Sequence, residues 1–226
     1  MKKLIAILMC AVILFSLGAC SGGNGDGENT PPVSTSEADT STPDTTKEKT
    51  DEAQIARGTI SGDVYTNDFV GITFTKPTEW SYLTDKEISE TVNIGQNTLD
   101  LSVIEKALTE TATVYDMATR DDYGNSVMVC YENTMLTALR EITIDEYEQN
   151  VKVNLESITE IDYEFQSSED ISLGDTSFRR IIFSATVNDV EMTQAYYAKV
   201  MGKYVITFIV TAVTEDVKAI EAMFTK

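Results

Sequence analysis

No histidine occurs among the 226 residues. Serine and cysteine hydrolases built on an imidazole base are therefore excluded, as are histidine-ligated zinc or copper sites and most metalloprotease centres. Three routes to chemistry remain: paired carboxylates as in glycoside hydrolysis, a lysine base, or a hard cation held by carboxylates. Asp and Glu number 37 against 17 Lys and Arg, but their spacing selects no catalytic pair. Asp121-Asp122-Tyr123-Gly124-Asn125 offers oxygen ligands for calcium. It lacks the alternating acidic positions and distal glutamate of a calcium loop, and reads as a hairpin turn. Cys130 alternates with Met128 on one face of an apolar segment, with Val127, Val129 and Tyr131 on the other. With no base to activate it, its thiol is expected to be buried and inert. Arg179-Arg180 points to opposite faces of a strand, which gives two separate salt bridges rather than one anion cradle. Tyr196-Tyr197 is split in the same way, between core and surface packing, and the lone Trp80 reads as a packing residue. No catalytic, cofactor-binding or metal-binding residue is assigned, and the chain is expected not to be an enzyme.

One cysteine does carry a chemical assignment. Met1-Lys2-Lys3 precedes a fourteen-residue apolar run, Leu4 to Leu17, and Leu17-Gly18-Ala19 leads directly into Cys20. A charged start, a short apolar stretch and small residues before a cysteine are the signal of a bacterial lipoprotein. In such a chain residues 1–19 are a signal peptide, and Cys20 receives diacylglycerol and palmitate-type acyl chains and becomes the mature N-terminus. The run is too short to cross a ~30 Å hydrocarbon core as a helix of ~20 residues. The expected location is the extracytoplasmic face of the bacterial cell membrane. Losing Lys2 and Lys3 moves the formal charge from −20 to −22. Such a surface is repelled by nucleic acid and by anionic headgroups, so the lipid must hold the protein to the bilayer against its own charge.

Residues 20–57 read as a disordered linker. Between Ser21 and Thr50 only Val33 and Ala38 are apolar, amid Gly, Ser, Thr, Pro, Asp and Glu. Such a composition cannot bury enough surface to offset chain entropy. About 35 residues of this kind have a root-mean-square reach of roughly 30–35 Å and an extended limit of roughly 120 Å. Cys130 is the only thiol left after processing and acylation, so the domain must stand without an intramolecular disulfide.

Residues 58–226 form a single domain in which β-branched and aromatic residues become periodic. Ile72 and Phe74 alternate inward in a strand that Pro77 ends. Thr84 with Glu87, and Thr143 with Glu146, are capping boxes that open two helices. The second carries Ile144, Tyr147, Val151, Leu155 and Ile158 at helical spacing. A further helix is expected over Leu99 to Leu108. Strands are expected over Ala112–Thr119 and Ser126–Glu132, then near Tyr163–Ser167, Ser177–Val187, Glu191–Val200 and Lys203–Ala212. The connections among the last of these are too short for parallel crossovers, which predicts an antiparallel meander. In its last strand Tyr204, Ile206, Phe208 and Val210 line one face and Val205 and Ile209 the other, as in a covered central strand. Thr214 is expected to cap a final helix with Val217, Ile220 and Phe224 inward.

The stretch from Tyr65 to Trp80, through Gly71, Ile72, Phe74 and Pro77, resembles the opening of PsbP-like domains, as does the order of the later elements. The resemblance covers roughly residues 60–226 and implies an α+β fold with an antiparallel sheet sandwiched between helices. It also implies the role of that family's members, which are mainly accessory and protein-binding subunits. No functional residue of the family maps onto these positions, and nothing in the sequence suggests photosynthesis. The expected function is a lipid-anchored extracytoplasmic binding or accessory protein that associates with an envelope protein or a cell-wall component. A carboxylate-based glycan hydrolase and low-affinity divalent cation binding are the alternatives.

Overall fold

The structure, a computed structural model, describes residues 55–91, 107–109 and 112–226. The chain enters through β1 (Thr59–Ser61), β2 (Val64–Asn67) and β3 (Ile72–Thr75), then β4 (Ser81–Tyr82) and helix α1 (Asp85–Thr91). The hairpin β5 (Thr113–Arg120) and β6 (Ser126–Asn133) follows, then the single turn α2 (Thr134–Thr137) and helix α3 (Ile144–Glu156). A four-strand run comes next: β7 (Asp162–Leu173), β8 (Thr176–Val187), β9 (Val190–Met201) and β10 (Tyr204–Ala212). Helix α4 (Val217–Glu221) and β11 (Phe224–Thr225) complete the chain. The fold is α+β, and every strand pair is antiparallel.

Seven strands form the main sheet in the order β4-β5-β6-β10-β9-β8-β7, and β1-β2-β3-β11 form a second, smaller sheet. The meander arises as the short connections require: Asn188 and Asp189, both at positive φ, make the two-residue turn between β8 and β9. Gly174, at φ +54, turns β7 into β8 beneath the C-terminus, where a Cβ would lie 3.0 Å from the Thr225 carbonyl group. Because β10 inserts beside β6, α3 has to carry the chain from β6 across the sheet to its far edge at β7.

That crossing sets the layers. Tyr147, Val151 and Leu155 of α3 pack on Ile181, Phe183, Tyr196 and Val205. Ile88 of α1 packs on Tyr115, Met128 and Cys130 on the same face of the sheet, and Ile209 touches both groups. The opposite face holds the larger core, where Tyr65, Ile72 and Phe74 of the small sheet and Val217 and Ile220 of α4 meet Phe178, Tyr197, Ile206 and Phe208. Phe208 sits edge-on to Phe178 and Phe224 with ring centroids 5.5 and 5.6 Å apart. Helices thus lie against both faces of the main sheet, with the small sheet sharing the α4 side.

Both capping boxes form, Thr84 with Glu87 and Thr143 with Glu146. Other expectations shift. Strand β7 runs to Leu173 instead of ending near Ser167, because its ladder with β8 continues to the turn past a bulge between Phe165 and Ser167. The cap of the last helix is Asp216, not Thr214, because its carboxylate accepts the Lys218 N–H while Asn125 engages the Thr214 hydroxyl. Phe224 is buried on a strand rather than on that helix, since β11 pairs it with Phe74. Ile55, Ala56 and Arg57, expected in the linker, pack onto the domain. Of the helix expected over Leu99 to Leu108, residues 99–106 lie outside the described residues; 107–109 are helical, with Ala107 and Leu108 in the main core. No helix among the described residues is long and apolar enough to cross a membrane.

Candidate functional site

Two carboxylates are buried in the main sheet, and neither was singled out by sequence. The bulge between Tyr115 and Met117 turns Asp116 toward the small sheet. There its carboxylate accepts from Arg57 Nε at 2.9 Å, the Gly58 N–H at 2.8 Å and the Tyr65 hydroxyl at 2.7 Å. Arg57 also donates to the Asp116 carbonyl at 2.7 Å and to both carboxylate oxygens of Asp85. Tyr131 donates to the Ala56 carbonyl at 3.0 Å, and Asn67 bridges Tyr65 and Tyr131. Burial, followed by the Asp116 charge, pushes the Tyr65 phenol well above its ordinary value and keeps it a donor. Gly58 is required here, because any Cβ would lie 2.2 Å from the Tyr65 ring. The cluster therefore fastens residues 56–58 to the sheet with every carboxylate oxygen engaged.

Glu132 lies on the other face, beneath α3. Tyr147 donates to its Oε1 at 2.8 Å and is 2.8 Å from the Thr207 hydroxyl. No cation balances it among the described residues, and burial pushes the carboxyl up to about 8. Cys130, two residues earlier on the same face, is buried, and its thiol is raised well above the ordinary value by burial and then by Glu132. It is a packing residue, as expected. Asp116 and Glu132 thus face opposite sides of one sheet. They cannot flank a single scissile bond at the ~5–10 Å spacing that carboxylate hydrolysis needs.

The residues singled out by sequence are mostly spent on the fold. Asp121 Oδ1 accepts from the backbone N–H groups of Tyr123, Gly124 and Asn125, and Oδ2 from the Asn125 side chain. Asn125 Oδ1 in turn accepts the N–H groups of Val213, Thr214 and Glu215. A carboxylate ringed by donors is oriented for holding a turn, and no group of three or more Cys, Asp or Glu among the described residues is placed to hold a metal. Arg179 pairs with Asp145, Glu148 and Asp170, while Arg180, on the opposite face, pairs with Glu169 and Glu221. Trp80 is buried in the main core, and its backbone N–H donates to the Pro77 carbonyl at 3.1 Å. Tyr196 and Tyr197 divide between the two faces, but both are fully buried, so neither serves the surface. Cys20 lies outside the described residues.

Two surface features stand out among the described residues. An open groove of about 490 Å³ runs between Arg180 and Ile182 of β8 and the 214–218 segment, and Arg180 within it is already ion-paired. The other is the loop that follows β6. Asn133 caps it through the Met135 N–H and donates to the Leu108 carbonyl, and Thr134 binds the Lys203 carbonyl through both its N–H and its hydroxyl. On that pinned base Met135, Leu136 and Leu139 are 43, 46 and 79% exposed. Leu139 holds φ +58, a left-handed conformation that costs a leucine about 1–2 kcal/mol. No sequence signal singled out Met135-Leu136-Thr137-Ala138-Leu139; its exposure is a matter of tertiary placement.

No family model and no curated protein matches this chain. Among solved structures it is similar to the solution structure of cyanobacterial PsbP (CyanoP) from Synechocystis sp. PCC 6803. That match has 17% identity and a TM-score of 0.43, and covers 76% of this chain and 94% of the other. It is also similar to a crystal structure from Bacteroides thetaiotaomicron VPI-5482, at 10% identity and a TM-score of 0.37 over 74% of this chain. This chain spans 45% of that longer one. The first is a member of the family that the segment from Gly71 to Trp80 resembles. The α+β assignment itself rests on the strands and helices described above.

Proposed function

We propose that this chain is a lipid-anchored extracytoplasmic binding or accessory protein, attached through Cys20 and associating with an envelope protein or a cell-wall component. The observation that carries the reading is the order Lys2-Lys3, apolar Leu4 to Leu17, Leu17-Gly18-Ala19, Cys20. Two features of the domain support a binding role over catalysis. Its buried carboxylates Asp116 and Asp121 are engaged by donors of the fold, and Glu132 lies beneath α3 away from the open groove. A pinned apolar loop meanwhile stands exposed at one end of the sheet.

Only the Cys20 thiol can accept the diacylglycerol, so Cys20→Ala should abolish labelling by a fatty-acid analogue in cells. Label retained at the wild-type level would refute the anchor. Crosslinking in intact cells should then recover a defined envelope protein or wall fragment with the wild-type chain.

A further inference from the structure

We infer that the loop from Met135 to Leu139 docks into the headgroup and acyl boundary of the bilayer that holds the Cys20 anchor. The inference rests on the anchor reading and goes beyond it by fixing which end of the domain faces the membrane. Met135, Leu136 and Leu139 project apolar surface from a turn whose base is pinned to Lys203 and Leu108. Leu139 remains exposed in a left-handed conformation, an arrangement in which neither burial nor backbone preference explains a leucine.

The size of the patch and the position of the tether select the occupant. Three partly exposed side chains offer on the order of 300 Å² of apolar surface, short of the ~800 Å² per partner of a stable protein interface. A bilayer contact needs no such area here. On the anchor reading only residues 21–54 separate Cys20 from Ile55, so docking is effectively intramolecular. The linker also arrives at the right end. Ala56 is bound by Tyr131 of β6, three residues before the loop begins at Thr134, whereas the Asp121 to Asn125 turn marks the far end of the same strand. Charge does not drive the contact, since the protein is strongly acidic and Arg140 beside the loop is paired with Glu146. Apolar insertion of a few side chains is the mode that remains for an acidic domain on a membrane.

The test uses the full-length lipidated chain. Cys130 is buried and Cys20 is acylated, so Leu136→Cys creates a single reactive thiol for an environment-sensitive fluorophore. Tyr123→Cys, at a residue 73% exposed at the far end, supplies the reference. In vesicles of phosphatidylcholine containing a nitroxide-labelled lipid, the probe at position 136 should shift to the blue and be quenched several-fold more than the probe at 123. Adding Leu139→Asp should bring position 136 down to the reference. Equal quenching at 136 and 123 in protein that floats with the vesicles overturns the docking while leaving the anchor intact. Protein that carries no acyl label and does not float overturns both. A shift at 136 that appears only when a second copy or another envelope protein is added overturns the docking in favour of a protein interface.

Discussion

Glu132 is held by the Tyr147 phenol with no cation against it among the described residues, and burial sets the energetics of that arrangement. Its folded value of about 8 lies above the ordinary 4.5, so between these limits the native state binds more protons than the unfolded state. Stability contributed by the protonated carboxyl is therefore complete below about pH 4.5, falls as pH rises, and is lost above about 8. Glu132→Gln keeps an acceptor for Tyr147 and removes the charge. It should stabilise the protein at pH 9 by on the order of 5 kcal/mol and change little at pH 4.5. Denaturant titrations of both proteins at the two pH values measure this; a difference independent of pH would show that Glu132 is not desolvated. Asp116 is instead held by donors from Arg57, Gly58 and Tyr65. Asp116→Ala strands those donors and should cost roughly 3–5 kcal/mol. A loss under about 1 kcal/mol would mean that the cluster does not fasten the chain entering the domain.

At the scale of elements, β10 and α3 organise the rest. Strand β10 is apolar on both faces and accordingly sits in the middle of the main sheet, under α3 on one side and the small sheet on the other. Phe208 in that strand is fully buried between Phe178 and Phe224, so Phe208→Ala should cost roughly 3–5 kcal/mol in an unfolding titration. A cost below about 1 kcal/mol would remove Phe208 from the packed core. Helix α3 begins at a capping box whose Glu146 is lowered to about 2, first by the Arg140 guanidinium and then by the Thr143 N–H. That contribution is present above about pH 4.5 and disappears as pH falls through about 2. The α3 cap thus withstands acid at the same pH where Glu132 beneath the helix is neutral.

On the proposed reading, the whole molecule combines an acidic domain with an anchor that has to act against its charge. Partners with basic patches should associate faster at low ionic strength, with the effect in the association rate rather than the dissociation rate. Stopped-flow measurements with the crosslinked partner over a salt series check this, and an association rate insensitive to salt would contradict it. The full-length protein should hydrolyse neither peptidoglycan nor simple glycosides. Turnover that disappears on replacing one Asp or Glu in a folded variant would reverse the reading toward a carboxylate hydrolase.

Local patterning was sufficient for much of this protein. Period-two alternation in β3, β6 and β10, helical spacing in α3, two capping boxes and the turn residues at Asp121 to Asn125 and Asn188-Asp189 each depend on neighbours in sequence. They could be read from sequence together with the antiparallel connectivity that short loops impose. The Cys20 proposal rests on sequence alone, since a processing signal is a linear segment. Tertiary structure decided what depends on contacts distant in sequence. Asp116 reaches Arg57 and Tyr65 only because a bulge turns it toward a second sheet, and that sheet closes only when β11 returns from the C-terminus to pair with β3. Glu132 is perturbed because α3 covers it, and Met135, Leu136 and Leu139 are exposed because Thr134 is tied to Lys203, 69 residues away. Burial and charge state are properties of an assembled environment, and a residue's own segment does not contain them.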